Sequence, residues 1–321
     1  MKSEEEFLAT IDDYVAEAIF PGCQIAIVEG TKVQEFVRGN QAILPQVEPL
    51  VAGKKWDLAS VSKVVGTGTV VINLVLSGKL SLDAPFTDYY PDFHDESITL
   101  RQLLTHTTGI NPFIENRDKL DFKGLKEAID HIEVTEDKSC HYTDINFILL
   151  GFMLEKLYGK SLDVVFKAEV FEKWDMSATS FGPVTNAVPT SLDTRVGTVH
   201  DPKAKVLGKH CGSAGLFAPM NDLVKFVQGY FSDTKYLALQ KNFAAGQRPR
   251  SLAWDFLHDQ WLLHTGYTGT FILMNLEAKK AVIFLSNRVH LKDERAQWIA
   301  DRDVLIETLI KNGSLSTVVG R

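Results

Sequence analysis

Trp56-Asp57-Leu58-Ala59-Ser60-Val61-Ser62-Lys63 runs straight into an apolar stretch that ends near Leu76, and the reading of that junction decides the fold. Residues 61–76 carry their apolar side chains at helical spacing, so Ser60 opens a helix and Lys63 lies one turn later on the same face. Unpaired amides at a helix start favour developing negative charge. If desolvation lowers the pKa of Lys63, it can serve as the base that a serine hydroxyl needs before it attacks a carbonyl. Spacing alone decides nothing, because Ser-x-x-Lys is expected about once by chance in a chain of this length. Ser232-Asp233-Thr234-Lys235 fits it as well, in what reads as a surface loop. The ordinary alternatives are a helix N-cap for Ser60 and a solvated side chain for Lys63. Gly66-Thr67-Gly68 lacks the rest of a phosphate loop, so close helix packing is expected there.

Outward from this junction, residues 4–19 form an amphipathic helix ended by Pro21 and Gly22, and residues 23–28 and 32–37 read as a β-hairpin. Between Ser60 and about Phe171 helical periodicities dominate, notably 61–76, 100–104 and 144–157. After Leu216 a further helix to about Phe231 is expected, then strands at 260–263, 270–276 and 281–286, then a helix over 294–311. This order predicts an α+β fold: an antiparallel sheet flanked by N- and C-terminal helices, with an all-helical lobe inserted. The sheet lobe is expected from residues 1–59 plus 205–321 and the mainly helical lobe from 60–204, with the active site in the cleft between them.

Lysine and arginine number 34 against 41 acidic residues, a net charge of -7, which leaves no basic footprint for nucleic acid. The acidic start, with Glu4, Glu5 and Glu6 in succession, is unlike a signal peptide, and a cytoplasmic protein is expected. The longest apolar candidate, residues 70–76, is interrupted by Asn73 and falls short of a membrane span, so no membrane partner is expected. Cys23, Cys140 and Cys211 read as reduced thiols. None of the nine histidines lies in His-Glu-x-x-His and there is no Cys-x-x-Cys, while His200-Asp201 and His210-Cys211 are not diagnostic of a metal. Neither metal nor organic cofactor is expected.

Further motifs follow in order. Leu103-Leu104-Thr105-His106-Thr107-Thr108-Gly109 precedes Tyr142-Thr143-Asp144, which leads into Asn146-Phe147-Ile148-Leu149-Leu150-Gly151. Ala214-Gly215-Leu216-Phe217 and Asp222-Leu223 come next, then His264-Thr265-Gly266-Tyr267-Thr268-Gly269-Thr270. With Ser60-Val61-Ser62-Lys63, this series resembles the serine β-lactamase and penicillin-binding protein superfamily, in its branch related to class C β-lactamases, D-aminopeptidases and carboxylesterases. The resemblance runs from about Gly22 to Asn287. It implies that Ser60 is the nucleophile and that Lys63 and Tyr142 share the proton traffic. An acyl-enzyme is then hydrolysed by water, with an oxyanion hole formed by the backbone amides of Ser60 and Tyr267. Tyr142 needs neighbouring cations, chiefly Lys63, to act as a base.

The same resemblance places Asp144, His264, Thr265, Gly266 and Tyr267 at the substrate. Two of these depart from the family pattern. Asp144 stands where asparagine is usual, and an ionised aspartate accepts hydrogen bonds but cannot donate to a substrate amide oxygen. It either pairs with Lys63 and shifts the base role to Tyr142, or caps the following helix. His264 replaces lysine, which weakens recognition of a penicillin-like carboxylate. The expected function is an esterase-like or peptidase-like serine hydrolase acting on a small-molecule ester, amide or D-peptide. The alternatives are a D-alanyl-D-alanine carboxypeptidase or D-aminopeptidase, a weak β-lactamase, or a penicillin-binding sensor that is acylated without turnover. Residues 111–123 and 185–208 are expected to line the cleft.

Overall fold

The two ends of the chain meet in one sheet in the computed structural model, which describes residues 2–311. The strands are β1 (Gly22–Glu29), β2 (Lys32–Ala42), β3 (Glu48–Pro49), β4 (Trp56–Asp57), β5 (Ser180–Phe181), β6 (Leu216–Ala218), β7 (Asp255–Phe256), β8 (Leu262–Thr265), β9 (Phe271–Asn275) and β10 (Lys280–Ser286). Seven form an antiparallel sheet in the order β3-β2-β1-β10-β9-β8-β7, with Ile25 paired to Phe36 on one side and to Phe284 on the other. A small second sheet, β4-β6-β5, carries the chain into Ser60.

The period of two along each strand sorts the core. Cys23, Ile25 and Ile27 of β1, Phe271 and Leu273 of β9, and Val282 and Phe284 of β10 face the terminal helices α1 (Lys2–Ala16) and α9 (Arg295–Lys311), packing with Phe7, Phe20, Trp298 and Leu305. Ala26, Val28, Leu262, Ile272, Met274, Ala281 and Ile283 face the opposite way, into the larger core shared with the internal helices. In β8 this parity puts His264 on the same face as Leu262, toward those helices.

The internal helices are α2 (Thr69–Leu76), α3 (Leu100–Thr105), α4 (Phe122–Asp130), α5 (Ile145–Tyr158), α6 (Leu162–Phe166), α7 (Pro202–Leu207) and α8 (Met220–Ser232). Their ends follow local chemistry. Thr99 and Gln102 form a reciprocal cap at α3, Asp121 accepts from Gly124 N at 2.9 Å, and Asp201 caps α7 ahead of Pro202. Helix α5 is apolar around its whole circumference and buried from Ile145 to Leu154, as a central helix must be.

The helix after Ser60 is not uniform. It opens as a 3₁₀ turn over Ala59–Val61, widens into a π turn over Lys63–Gly68, and becomes α-helical from Thr69. The continuous stretch Ala59–Leu76, 18 residues of mean hydropathy 1.6, is long and apolar enough to span a bilayer, which corrects the shorter run read from sequence. Within the protein 72% of it is buried, so it is a core helix. Gly66 and Gly68 serve packing: a Cβ on Gly66 would sit 2.5 Å from the Phe166 ring, and one on Gly68 would sit 2.8 Å from Ala253 Cβ.

Element boundaries moved where turns intervene. The helix expected after Leu216 is preceded by strand β6 and begins only beyond Pro219. The strand expected at 260–263 lies at Leu262–Thr265, because Gln260 adopts a positive φ of 63° that strands do not use. Strand β2 runs on to Ala42, and the short edge strands β3 and β7 carried no sequence signal.

Replacing Gly66 by alanine overpacks the contact with Phe166. The expected result is a loss of about 1–3 kcal/mol in unfolding free energy, read by urea denaturation.

Candidate active site

Asp57 fixes the approach to Ser60. Its buried carboxylate accepts from Ala59 N at 2.9 Å through Oδ1 and from His200 N at 2.8 Å through Oδ2. The backbone alongside is clamped as well: Thr268 Oγ1 donates to Asp57 O at 2.9 Å and Thr270 Oγ1 to Leu58 O at 3.1 Å. These bonds hold Ala59 at a φ of 46°, a strained conformation for a residue with a Cβ, directly before Ser60. Burial pushes Asp57 up to about 6, against the two backbone N–H groups that favour its charged form.

Ser60 makes no helix-capping bond and lies partly exposed at the cleft. Lys63 is fully buried, and the three donors of its ammonium have three acceptors: Ser60 Oγ at 2.8 Å, Asp144 Oδ1 at 2.7 Å and Ser213 O at 3.1 Å. Of the two possibilities left open for this lysine, desolvation to the neutral form and pairing with Asp144, the contacts are those of the pairing. Burial pulls its pKa down, but the Asp144 carboxylate and, secondarily, Tyr142 outweigh that, and the net direction is upward. Asp144 moves well below the usual carboxylate range, because Lys63 and a second cation, Lys203 at 3.0 Å from Oδ2, outweigh its own desolvation. Its side chain does not cap α5; Thr143 Oγ1 accepts from Ile145 N instead.

Tyr142 stands at the mouth of the site, 45% exposed, with Lys63 Nζ 5.1 Å from its ring centroid. Its ring rests on His106 at 4.5 Å. His106 itself is buried in a left-handed backbone conformation at the end of α3, and its Nδ1 accepts from Asn146 Nδ2 at 2.9 Å. Burial and the surrounding cations hold that ring neutral.

From β8, His264 reaches to 6.3 Å from the Tyr142 ring. Burial first, then the charges of Lys63 and Arg250, press its pKa well below the usual value, so it is uncharged at neutral pH. Its Nδ1 lies 3.1 Å from Thr265 O and is the protonated nitrogen of the neutral ring. Gly266 is required by proximity: a Cβ there would sit 2.1 Å from Thr270 Oγ1 and 2.7 Å from Leu58 O. That close approach brings the strand edge and Tyr267 against the chain entering Ser60. The Tyr267 ring stacks on His200 at 5.4 Å and carries the Arg288 guanidinium 4.9 Å from its centroid.

Ser60, Tyr142, Asp144, His264, Thr265, Gly266 and Tyr267 all line one cleft of about 960 Å³, with Lys63 buried beneath it. Pro112, Ile114 and Arg117 contribute from the loop at 111–123, and Asp201 and Lys203 from that at 185–208. The second Ser-x-x-Lys is unrelated: Ser232 Oγ donates to Gly229 O at 2.7 Å, and the exposed Lys235 pairs with Asp233. No cluster of three metal-ligating side chains occurs among the described residues, and His210 pairs with Glu155 at 2.7 Å. Sequence reasoning missed Asp57 and Lys203. Asp57 sat in a quoted motif without a role, and Lys203 had no signal beyond the histidine-aspartate pair before it.

A sheet closed by both chain ends, with a serine and a buried lysine at the start of the central helix, is the architecture of serine β-lactamases and their relatives. Residues 7–306 match the family described as Beta-lactamase, and the chain belongs to it. It is a hydrolase of that fold. Among curated relatives, the N-acetylmuramyl-L-alanine amidase of Bacillus subtilis (strain 168) is 24% identical over 84% of this chain and 78% of its own length. Among solved structures, a β-lactamase/D-alanine carboxypeptidase from Pseudomonas syringae superposes with a TM-score of 0.77 at 17% identity, covering 97% of this chain and 99% of the other. EstCE1, a hydrolase with promiscuous acyltransferase activity, gives 0.76 at 16% identity over 94% and 98%.

Asp57 provides a pH test of the backbone clamp. Its pKa rises from about 3.9 in the unfolded chain to about 6 in the fold. Between those values the native state binds more protons, so this contribution is fully present below the lower value and lost as pH rises through the upper. Relative to Asp57→Asn, wild-type unfolding free energy is expected to fall by about 2–3 kcal/mol from pH 4 to pH 7, read by urea denaturation at each pH. A constant difference would disprove the raised titration.

Proposed function

We propose that this protein is a serine hydrolase working through an acyl-enzyme, with esters as its preferred substrates. The observation that carries the reading is the contact between the fully buried Lys63 ammonium and Ser60 Oγ at 2.8 Å, with Asp144 holding the lysine protonated. A protonated Lys63 donates to the serine oxygen and cannot take its proton. Tyr142, whose ring lies over the same ammonium, is the base that remains. Ser60 Oγ attacks the carbonyl as its proton passes to Tyr142, and the oxyanion meets the amides of Ser60 and Tyr267. Tyr142 returns the proton to the leaving group; it then takes a proton from water as the water oxygen attacks the acyl carbonyl, and passes it to Ser60 Oγ as the C–Oγ bond breaks.

Preference for esters rests on the charge states of two residues. Asp144 offers only acceptors where a substrate amide oxygen needs a donor, and His264 is neutral on the strand edge. An ester has a better leaving group and demands less of these positions. One observation favours a D-peptidase as second reading: Arg117, Arg248, Arg288 and Arg295 line the cleft and could meet a peptide carboxylate. The amidase and carboxypeptidase names of the relatives point the same way.

Ser60→Ala is expected to lower hydrolysis of p-nitrophenyl esters by at least about 10³-fold with thermal unfolding unchanged. Undiminished turnover in that variant would remove Ser60 from the mechanism. Tyr142→Phe should lower kcat by about 10²–10⁴-fold. Steady-state rates on a p-nitrophenyl ester, a chromogenic cephalosporin and a D-Ala-D-Ala peptide rank the substrates, and faster turnover of the peptide than of the ester would favour the second reading.

A further inference from the structure

We propose that Lys203 is a positioning residue that restores the positive charge Asp144 removes from the catalytic cluster; this rests on the acyl-enzyme reading above. Asp144 is held between two ammonium groups, Lys63 Nζ 2.7 Å from Oδ1 and Lys203 Nζ 3.0 Å from Oδ2. With Lys63 and Asp144 alone, the cluster facing Tyr142 and Ser60 would be neutral. A neutral pair does little to favour the negative charge that must develop on a tyrosine base and a serine oxygen. Lys203 brings the net charge back to +1, the value a lone lysine beside a neutral asparagine would give. Asp144 and Lys203 thus act together as a substitute for one amide.

The location of Lys203 supports a role beyond the local fold. It occupies the first turn of α7, next to Pro202, where the helix dipole disfavours a cation. Its side chain is only 14% exposed, although lysine is rarely buried without a partner. Burial draws its pKa down, but Asp144 and then Asp201 outweigh this, so it stays charged. The remaining charged and titratable groups around the cluster are Arg117 beside Lys203, the neutral rings of His106 and His264, and Arg250 behind those histidines. Lys63 is the sole other cation with a direct contact to Asp144 among the described residues.

The test compares Lys203→Met, Lys203→Arg, Asp144→Asn and the double variant Asp144→Asn/Lys203→Met, by kcat/KM for p-nitrophenyl butyrate from pH 5 to 9. Intact-mass detection of the Ser60 adduct accompanies each. The base works deprotonated and a nearby cation favours that form, so removing Lys203 should move the acidic limb of the profile up by about one pH unit and lower kcat/KM at pH 7 by at least tenfold. Lys203→Arg keeps the charge and should keep the limb. The double variant should be at least tenfold more active than the product of the single effects, because it recreates a lysine beside a neutral amide. Lys203→Gln replaces the methionine variant if the latter does not fold.

An unmoved limb, equal losses in the methionine and arginine variants, or purely multiplicative effects in the double variant would overturn the proposal while adduct formation persists. A wild type that forms no Ser60 adduct overturns the acyl-enzyme reading, and the role of Lys203 with it.

Discussion

One buried charge organises this protein. The Lys63 ammonium is fully removed from solvent, and an ion so placed is tolerated only when its donors are matched. Three segments supply the acceptors: the serine one turn before it, the residue preceding α5, and the Ser213 carbonyl ahead of β6. Meeting that demand ties the central helix both to α5 and to the small sheet under the cleft. The same bonds that settle the charge fix Ser60 and Asp144 relative to one another. Stability and preorganisation therefore rest on the same contacts, and losing any one acceptor would cost both.

The sequence made the architecture legible through the lengths of its apolar runs and the turn residues that bound them. Strands β1, β9 and β10 are short apolar runs that feed two cores, and α5 is an apolar run too long for a strand, so run length separated the classes. The motifs then located Ser60, Tyr142 and His264 in a single cleft. What stayed hidden depends on contacts between residues distant in sequence. Lys203 meets Asp144 only after the loop before α7 folds back, and Asp57 acquires its role from the His200 amide, far along the chain. The pKa of Lys63 was unreadable for the same reason. Desolvation and pairing act in opposite directions, and only the 2.7 Å separation decides which wins.

Clamping the serine requires strain, and the structure shows how it is held. Ala59 adopts a left-handed conformation that costs an L-residue roughly 1–2 kcal/mol, and two threonines, one aspartate and the absent side chain of Gly266 keep it there. The π turn that follows widens the helix at Lys63, so that the lysine side chain can lie beneath the serine while Gly66 packs on Phe166. π turns concentrate at functional sites because they spoil the regular hydrogen-bond ladder and persist only where surrounding contacts compensate. Here the compensation is visible: Thr69 Oγ1 donates to the Val64 carbonyl at 2.6 Å.

The two departures from the usual family pattern have different electrostatic consequences. Aspartate at 144 would neutralise the site, and Lys203 opposes that. Histidine at 264 removes a permanent charge from the strand edge, and burial beside Lys63 and Arg250 keeps the imidazole from regaining it. Positive charge is thus retained beneath Ser60 and given up where the substrate's far end would lie. Cations remain in the cleft, but as arginines already paired on other segments: the exposed Arg248 pairs with Asp255, and the buried Arg288 holds Asp293 while lying over Tyr267. Guanidinium groups already engaged by carboxylates bind a substrate anion only by giving up part of that pairing; for the exposed Arg248 such an exchange releases little net energy. An anionic handle at this edge of the cleft is therefore weaker than the permanent lysine charge of the usual family pattern would make it.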